Sequence, residues 1–173
     1  ELEPALKAFK DAGFKVKTSP NLFHESNQFS GTDEERAADL QWALDHKEVK
    51  AIISARGGYG TVRIIDKMNW KKFLQNPKWI CGYSDITVLH SHVQTHHKIA
   101  TLHCTMPINF ERNKEATARN LLILQNEKSH QLGSTLGNEP LWGDWEYGRI
   151  NRFLLLTKCT HKKQNKDPLL LFF

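Results

Sequence analysis

Residues 49–60 read Val-Lys-Ala-Ile-Ile-Ser-Ala-Arg-Gly-Gly-Tyr-Gly, and they give the clearest indication of the fold. Its first half is a compact, β-branched run, which is typical of a buried strand in a parallel sheet. Its second half places three glycines directly after that strand. Such glycines let the backbone approach a ligand and direct free amides at an anion, but they also form tight connecting turns. The glycine loop is therefore either a ligand contact or a turn.

The flanking sequence alternates short apolar strands with helices. Helices are predicted over residues 2–12, 33–46, 62–68, 85–97 and 115–125, and further strands over residues 14–18, 79–82 and 99–102. This alternation predicts an α/β fold with a mostly parallel sheet flanked by helices. Because the series begins with a helix, we expect a first strand upstream of residue 1. From about residue 150 the pattern gives way to an irregular C-terminal tail.

Composition limits the class of protein. The 173 residues suffice for one domain with a real core. No run approaches the roughly 20 apolar residues of a membrane span, and residues 1–10 lack the layout of a secretory signal. Cys81, Cys104 and Cys159 are odd in number and show no CxxC spacing, which argues against a disulfide framework or a thiolate zinc site. We therefore predict a cytoplasmic protein that does not contact a membrane.

The net charge of +5 does not indicate a nucleic-acid-binding surface. Residues 149–173 contain six basic residues and one acidic residue, whereas the rest of the chain contains 18 of each. The excess charge therefore lies in the tail, whereas phosphate binding needs Lys and Arg clustered on one face of the fold. We predict no nucleic-acid partner.

The segment Gly82-Tyr83-Ser84-Asp85 lies where a buried strand is predicted to turn into a helix. A turn of this kind exposes the side chain at its apex above the sheet, as in the nucleophile elbows of hydrolases. Ser84 would occupy the apex, and the amide of Asp85 at the helix N-terminus would face developing negative charge. Serine also commonly caps a following helix. The local pattern leaves both roles open.

Four histidines, His90, His92, His96 and His97, occur in the predicted helix after this segment. The spacing of His92 and His96 suits a metal-binding helix, but no HExxH motif and no suitably spaced carboxylate accompanies the pair. An exposed helix face is favoured, and no metal site is predicted. His103 and Cys104 would point to opposite faces of a strand, which argues against a Cys-His dyad.

Three motifs together resemble the LD-carboxypeptidase (murein tetrapeptide carboxypeptidase) family of serine peptidases. They are residues 31–36 (Gly-Thr-Asp-Glu-Glu-Arg), residues 55–60 (Ala-Arg-Gly-Gly-Tyr-Gly), and residues 76–78 (Asn-Pro-Lys) with residues 82–87 (Gly-Tyr-Ser-Asp-Ile-Thr). The resemblance implies a flavodoxin-like or class I glutamine amidotransferase-like sheet. Residues 1–149 would form the N-terminal nucleophile domain, with its first strand missing. Residues 150–173 would be an atypical tail that replaces the C-terminal catalytic domain.

The resemblance also implies roles for individual residues. Ser84 would be the nucleophile, and the backbone amides of Asp85 and Gly58 would form the oxyanion hole. Three further residues would border the substrate: Gly57, Tyr59 and His103. Enzymes of the family remove the terminal D-alanine from murein tetrapeptides in the cytoplasm during cell-wall recycling, and they require no cofactor or metal. The resemblance also implies a homodimer.

One feature of the family has no counterpart in this sequence. A Glu-His pair from the C-terminal domain activates the serine in the family, and no residue here matches either partner. Residues 102–107 (Leu-His-Cys-Thr-Met-Pro) also depart from the His-Gly-Pro pattern of the family. We therefore expect the chain to be inactive alone. Two alternatives stay open, namely a non-catalytic peptide-binding module and a related immunity-type peptidase that hydrolyses peptidyl-adenylate antibiotics.

Overall fold

The computed structural model describes residues 1–125 with their side chains and the backbone of residues 169–172. Five strands are present in this part of the chain: β1 (Lys15–Thr18), β2 (Val49–Ile53), β3 (Trp79–Gly82), β4 (Leu102–His103) and β5 (Leu169–Phe172). They form one sheet in the order β1-β5-β2-β3-β4, and every pairing is parallel. The predicted α/β class with a parallel sheet is confirmed.

Helices cover both faces of the sheet. The α-helices are α1 (Glu3–Asp11), α2 (Asp33–Asp45), α3 (Lys71–Gln75), α4 (Thr87–His92) and α5 (Lys114–Gln125). On one face, Leu40 and Leu44 of α2 and Leu89 of α4 pack against strand residues that include Ile52. On the other face, Phe9 of α1 and residues of α5 pack against a second set of strand residues. Each face of the sheet therefore has its own apolar core.

The helix α2 begins as its sequence predicts. Thr32 Oγ1 accepts a hydrogen bond from the Glu35 amide at 3.2 Å, and the Glu35 carboxylate accepts one from the Thr32 amide at 2.8 Å. This reciprocal pair is a capping box, which satisfies two amide donors that the first helical turn leaves unpaired. The helix is thereby held at a fixed starting point beside the glycine loop.

The structure differs from the sequence prediction at three places. Residues 62–68 form two short 3₁₀ turns, Thr61–Arg63 and Ile65–Lys67, since the β-branched residues in this stretch favour a continuous helix only weakly. The helix α3 was not predicted. The strand expected over residues 99–102 is reduced to Leu102–His103, because the preceding helical segment ends only at the left-handed residue Lys98.

The tail contributes one described element. Residues 169–172 form β5 between β1 and β2, although their sequence shows no sustained strand or helix period. The remaining predictions for residues 126–168 and 173 lie outside the described residues. In the part of the chain that the structure describes, no helix is both long and apolar enough to cross a membrane.

Candidate active site

Ser84 lies at a sharp turn between β3 and the helical segment that follows it. Its side chain is exposed, and its backbone has a φ of 61°, a left-handed conformation that a non-glycine residue adopts at a cost of about 1–3 kcal/mol. Gly82, two residues earlier, has a φ of 150°. A β-carbon at Gly82 would lie only 3.0 Å from Ile86 Cγ1, so glycine is needed for the chain to turn here.

The alternative role of Ser84 as a helix cap is not observed. The chain enters the helical segment through a 3₁₀ turn at Ser84–Ile86, and α4 follows from Thr87. Neither of these elements has a side-chain capping hydrogen bond at its start. The Ser84 hydroxyl therefore remains at the apex of the turn and faces outward.

The glycine loop approaches Ser84 closely. A β-carbon at Gly57 would lie 3.0 Å from Ser84 Oγ and 3.1 Å from Ser84 Cβ, which is closer than such contacts normally come. A β-carbon at Gly58 would lie 3.8 Å from Asp85 Oδ2, an ordinary contact distance. The structure thus brings together four of the residues singled out in the sequence: Gly57, Gly58, Ser84 and Asp85.

Asp85 joins the turn to the glycine loop from the other side. Its Oδ2 atom accepts hydrogen bonds from the Thr61 amide at 3.0 Å and from the Thr61 hydroxyl at 2.7 Å. Thr61 directly follows the last glycine of the loop and is 5% exposed. These two bonds fix the distance between the loop and the turn. The sequence pattern indicates a role for the backbone amide of Asp85 but not this function of its carboxylate.

Arg36 of α2 supports the far end of the loop. A β-carbon at Gly60 would overlap the Arg36 guanidinium, so the loop passes directly over that group. The Asp33 carboxylate pairs with Arg36 and accepts two hydrogen bonds from Arg63 Nε, both at 2.9 Å. The hydrogen bond from Arg63 is the main cause that lowers the pKa of Asp33. The motif at residues 31–36 is therefore in contact with the glycine motif.

His90 lies beneath the turn. It is fully buried, and its Nε2 atom lies 3.0 Å from the carbonyl oxygen of Gly82, to which it donates a hydrogen bond. The amide of Cys104 donates to the same oxygen at 3.1 Å. Burial lowers the pKa of His90, which favours the neutral imidazole. The prediction of an exposed helix face was wrong for His90, because this residue shares the apolar face of the helix with Ile86 and Val93.

Two predicted substrate contacts lie at the rim of this site. Tyr59, within the glycine loop, is 79% exposed. His103 is exposed at the carboxyl end of β4, where it is paired with Gly82 of β3. Its ring centroid lies 6.1 Å from that of Tyr83, whose hydroxyl accepts a hydrogen bond from Asn109 at 2.6 Å. Both side chains are therefore free to meet a ligand at the same edge of the sheet.

The described residues supply an exposed hydroxyl but no proton acceptor for it. Within residues 1–125, no histidine or carboxylate hydrogen-bonds to Ser84. In the described part of the chain, no group of three or more His, Cys, Asp or Glu side chains is placed to hold a metal ion. His92, His96 and His97 instead lie against one another and, through His92 and His97, against Trp70.

Known proteins share this sequence pattern. The sequence model of the LD-carboxypeptidase N-terminal domain matches residues 1–104. A Bacillus subtilis (strain 168) protein named "Probable murein peptide carboxypeptidase" is 36% identical over 106 residues, which are 61% of this chain and 33% of the relative. The murein tetrapeptide carboxypeptidase of Pseudomonas aeruginosa is 29% identical over 96 residues, which are 55% of this chain and 31% of that protein. The chain thus spans about a third of the length of these relatives.

Solved structures share the fold as well. The muramoyltetrapeptide carboxypeptidase from Oxalobacter formigenes superposes with a TM-score of 0.54 at 28% identity, covering 61% of this chain and 35% of that one. The microcin C7 self-immunity protein MccF in its apo state superposes with a TM-score of 0.66 at 21% identity, covering 73% and 39%, which shows a common fold alone. With the sequence match over residues 1–104, the chain belongs to the LD-carboxypeptidase family.

Proposed function

We propose that this chain carries the nucleophile domain of a serine LD-carboxypeptidase and that Ser84 is its nucleophile. The substrate would be a murein tetrapeptide, from which the enzyme removes the terminal D-alanine. One observation carries the proposal, namely that the exposed Ser84 hydroxyl lies at a left-handed turn in contact with the glycine loop. The names of the relatives, murein peptide and murein tetrapeptide carboxypeptidase, support the substrate class.

The geometry suits acyl transfer. The Ser84 hydroxyl would attack the carbonyl carbon before the terminal D-alanine and form a tetrahedral intermediate. The amides of Gly58 and Asp85 would donate hydrogen bonds to its oxyanion, an interaction worth about 10²–10³ in rate per donor. The C–N bond would then break and the D-alanine amine would leave with a proton, after which water would hydrolyse the ester on Ser84, release the shortened peptide and restore the hydroxyl.

The proton steps need a general base and acid. A serine hydroxyl is a weak nucleophile until a neighbouring base accepts its proton. We assign this role to the Glu-His pair that the family resemblance places in the C-terminal domain, to which no residue of this sequence corresponds. Residues 1–149 would then bind and orient the peptide, with Gly57, Tyr59 and His103 at its edge. The complete enzyme would act as a homodimer in the cytoplasm during cell-wall recycling, away from the membrane.

The assignment of Ser84 can be tested without turnover. A boronic acid analogue of the tetrapeptide, with boron in place of the scissile carbonyl carbon, would be mixed with the purified chain and followed by ¹¹B NMR. We expect a tetrahedral boron signal that is lost in Ser84→Ala and kept in Ser91→Ala, since Ser91 is an exposed serine of α4. If Ser84→Ala keeps the signal, Ser84 is not the nucleophile.

A non-catalytic peptide-binding module is the second candidate, because no described histidine or carboxylate is bonded to Ser84. The two candidates differ in three measurements: peptide binding by calorimetry, the boron adduct, and release of D-alanine detected with D-amino acid oxidase. Binding without adduct or release favours the module. Release that depends on Ser84 rejects the module and also the expectation that the chain is inactive alone. Cleavage of a peptidyl adenylate instead of the tetrapeptide would indicate the immunity-type activity.

A further inference from the structure

His90 is a polar residue within an apolar core. The residue is fully buried in α4, and its neighbours on the same side of the helical segment, Ile86 and Val93, are apolar. Burying an imidazole costs free energy that an aliphatic side chain of similar size would not cost, and hydrogen bonding must offset this cost. Packing alone therefore favours an aliphatic residue at position 90. The hydrogen bond that His90 makes indicates what a histidine contributes there.

This hydrogen bond spans the turn that carries Ser84. The Nε2 atom of His90 donates to the carbonyl oxygen of Gly82 at 3.0 Å. Gly82 is the last residue of β3, whereas His90 lies in α4, so one bond joins the two arms of the turn. The two bonded residues are eight positions apart in sequence, and Ser84 lies between them.

A second donor holds the same oxygen from the neighbouring strand. The amide of Cys104, directly after β4, donates to the Gly82 carbonyl at 3.1 Å. A carbonyl oxygen has two lone pairs, so the two bonds together satisfy it and fix the orientation of the peptide group that leads into the turn. Of these two bonds, the one from His90 ties the strand to the helix that follows Ser84.

The conformation of Ser84 depends on this orientation. Gly82 has a φ of 150°, Tyr83 is extended with a φ of −149° and a ψ of −171°, and Ser84 then turns to a φ of 61°. A left-handed serine is unfavourable by itself and persists only where surrounding contacts determine it. Two such contacts act on Gly82, because Ile86 leaves no room for a β-carbon there and His90 binds its carbonyl.

The neutral imidazole is sufficient for this bond. Burial holds the pKa of His90 below its ordinary value, the hydrogen bond to Gly82 opposes this shift, and the charge of His103 adds to it. A neutral imidazole carries a single N–H, and the contact with a carbonyl oxygen places it on Nε2. The backbone of the turn therefore sets the tautomer of His90.

We infer that His90 is a positioning residue for Ser84, because its hydrogen bond to the Gly82 carbonyl holds the left-handed turn that presents the Ser84 hydroxyl to the glycine loop. The inference rests on the proposed function of Ser84 as the nucleophile. Since His90 is fully buried, it acts through the backbone of the turn and not by contact with a substrate.

Two substitutions of similar length test the hydrogen bond. His90→Gln keeps an N–H donor that can reach the Gly82 carbonyl, whereas His90→Met has no donor. We expect His90→Met to weaken the affinity for the tetrapeptide boronic acid by about 10-fold in a ¹¹B NMR titration, and His90→Gln to stay within about 3-fold of the parent chain. Leu89→Ala is the stability control, because it removes a buried apolar side chain of the same helix. It should lower the free energy of unfolding but keep the boronate affinity.

A backbone measurement separates this inference from the assignment of the nucleophile. The three-bond scalar coupling between the amide and α protons of Ser84 reports its φ without any ligand. The coupling should change in His90→Met and stay unchanged in His90→Gln and Leu89→Ala. If the parent chain forms no boron adduct, the proposed function of Ser84 fails, while the coupling still tests whether His90 holds the turn.

Three results would overturn the role of His90. They are equal boronate affinities of the Gln and Met variants, an unchanged Ser84 coupling in folded His90→Met, and an equal loss of affinity in Leu89→Ala. If His90→Met does not fold, the imidazole N–H signal of His90 in the parent chain gives the deciding measurement. The signal should exchange slowly with water and shift when the boronate adds to Ser84. A rapidly exchanging or unshifted signal contradicts the inference.

Discussion

The helical segment from Ser84 to His97 begins with one left-handed residue and is followed by another, and the two have different roles. Ser84, at its start, has a φ of 61°, and Lys98, at its end, has a φ of 57°. A left-handed residue after the last helical turn is a common way to end a helix. At the start of a helix the same conformation is unusual, and here it exposes a hydroxyl beside the glycine loop.

Most of the potentially reactive side chains lie at the end of the segment, away from Ser84. The end of the segment carries His92, His96 and His97, and the ring of His92 contacts the other two. His92 also stacks on Trp70, with 5.1 Å between ring centroids. In the described residues this cluster forms no metal-binding group. His96 and His97 lie in a π-helical turn, Val93–His97, that continues α4, and all three imidazoles pack as aromatic rings. Backbone geometry and close glycine contacts therefore locate this site better than the number of reactive side chains does.

The largest expected effect tests the close contact at the start of the segment. Gly57→Ala places a methyl group 3.0 Å from Ser84 Oγ, so the loop or the serine must move. We expect formation of the tetrahedral boron adduct to fall by about 100-fold or more. Gly58→Ala is the comparison, because its methyl group meets only Asp85 Oδ2 at 3.8 Å. A smaller loss for Gly57→Ala than for Gly58→Ala would contradict the proposed approach of the loop.

A second prediction concerns the link between the loop and the turn. Thr61→Val removes the hydroxyl that donates to Asp85 Oδ2 at 2.7 Å, whereas Thr61→Ser keeps it. We expect Thr61→Val to weaken boronate affinity by about 10-fold and to lower the free energy of unfolding by about 1–3 kcal/mol. Thr61→Ser should restore the affinity. If both variants bind the boronate equally, the carboxylate of Asp85 does not position the loop.

A third prediction concerns the smaller effect on stability of replacing the two left-handed residues with glycine. Glycine adopts this conformation without the steric cost of a β-carbon, so Ser84→Gly and Lys98→Gly should each raise the free energy of unfolding by about 1 kcal/mol. Only Ser84→Gly should abolish the boron adduct. Urea titration and ¹¹B NMR on both variants check this comparison. A destabilised Ser84→Gly variant would show that the serine is not strained at this turn.

Much of the site could be predicted because its parts are encoded in short local patterns. The strand-glycine sequence at residues 49–60 and the Gly-Tyr-Ser-Asp turn each depend on neighbours in sequence. Two parallel strands that are adjacent in the sheet bring their carboxyl ends together, so the approach of Gly57 to Ser84 follows from the alternation of strands and helices.

Other features depend on contacts between residues far apart in sequence, and local patterns do not encode them. Arg36 reaches Gly60 from another helix, and Asp85 binds Thr61 across the loop. The strand β5 lies between β1 and β2, a position that its own four residues do not encode. His90 could have been recognised as buried, since it follows Ile86 by four residues on the apolar side of the helix.

The smallest expected effect lies at the histidine end of the segment. Burial, together with the charge of His96, lowers the pKa of His92 and of His97 below the ordinary value of 6.5, while Asp66 opposes the shift at His92. The unfolded state therefore binds more protons, and the free energy of unfolding should decrease as the pH falls through 6.5. Urea titrations at pH 7.5 and 5.5 should show a smaller decrease for His92→Gln with His97→Gln than for the parent chain. An equal decrease would mean that His92 and His97 have the same pKa values in the folded and unfolded chain. The histidine cluster would then contribute packing but no pH dependence to the stability of the fold.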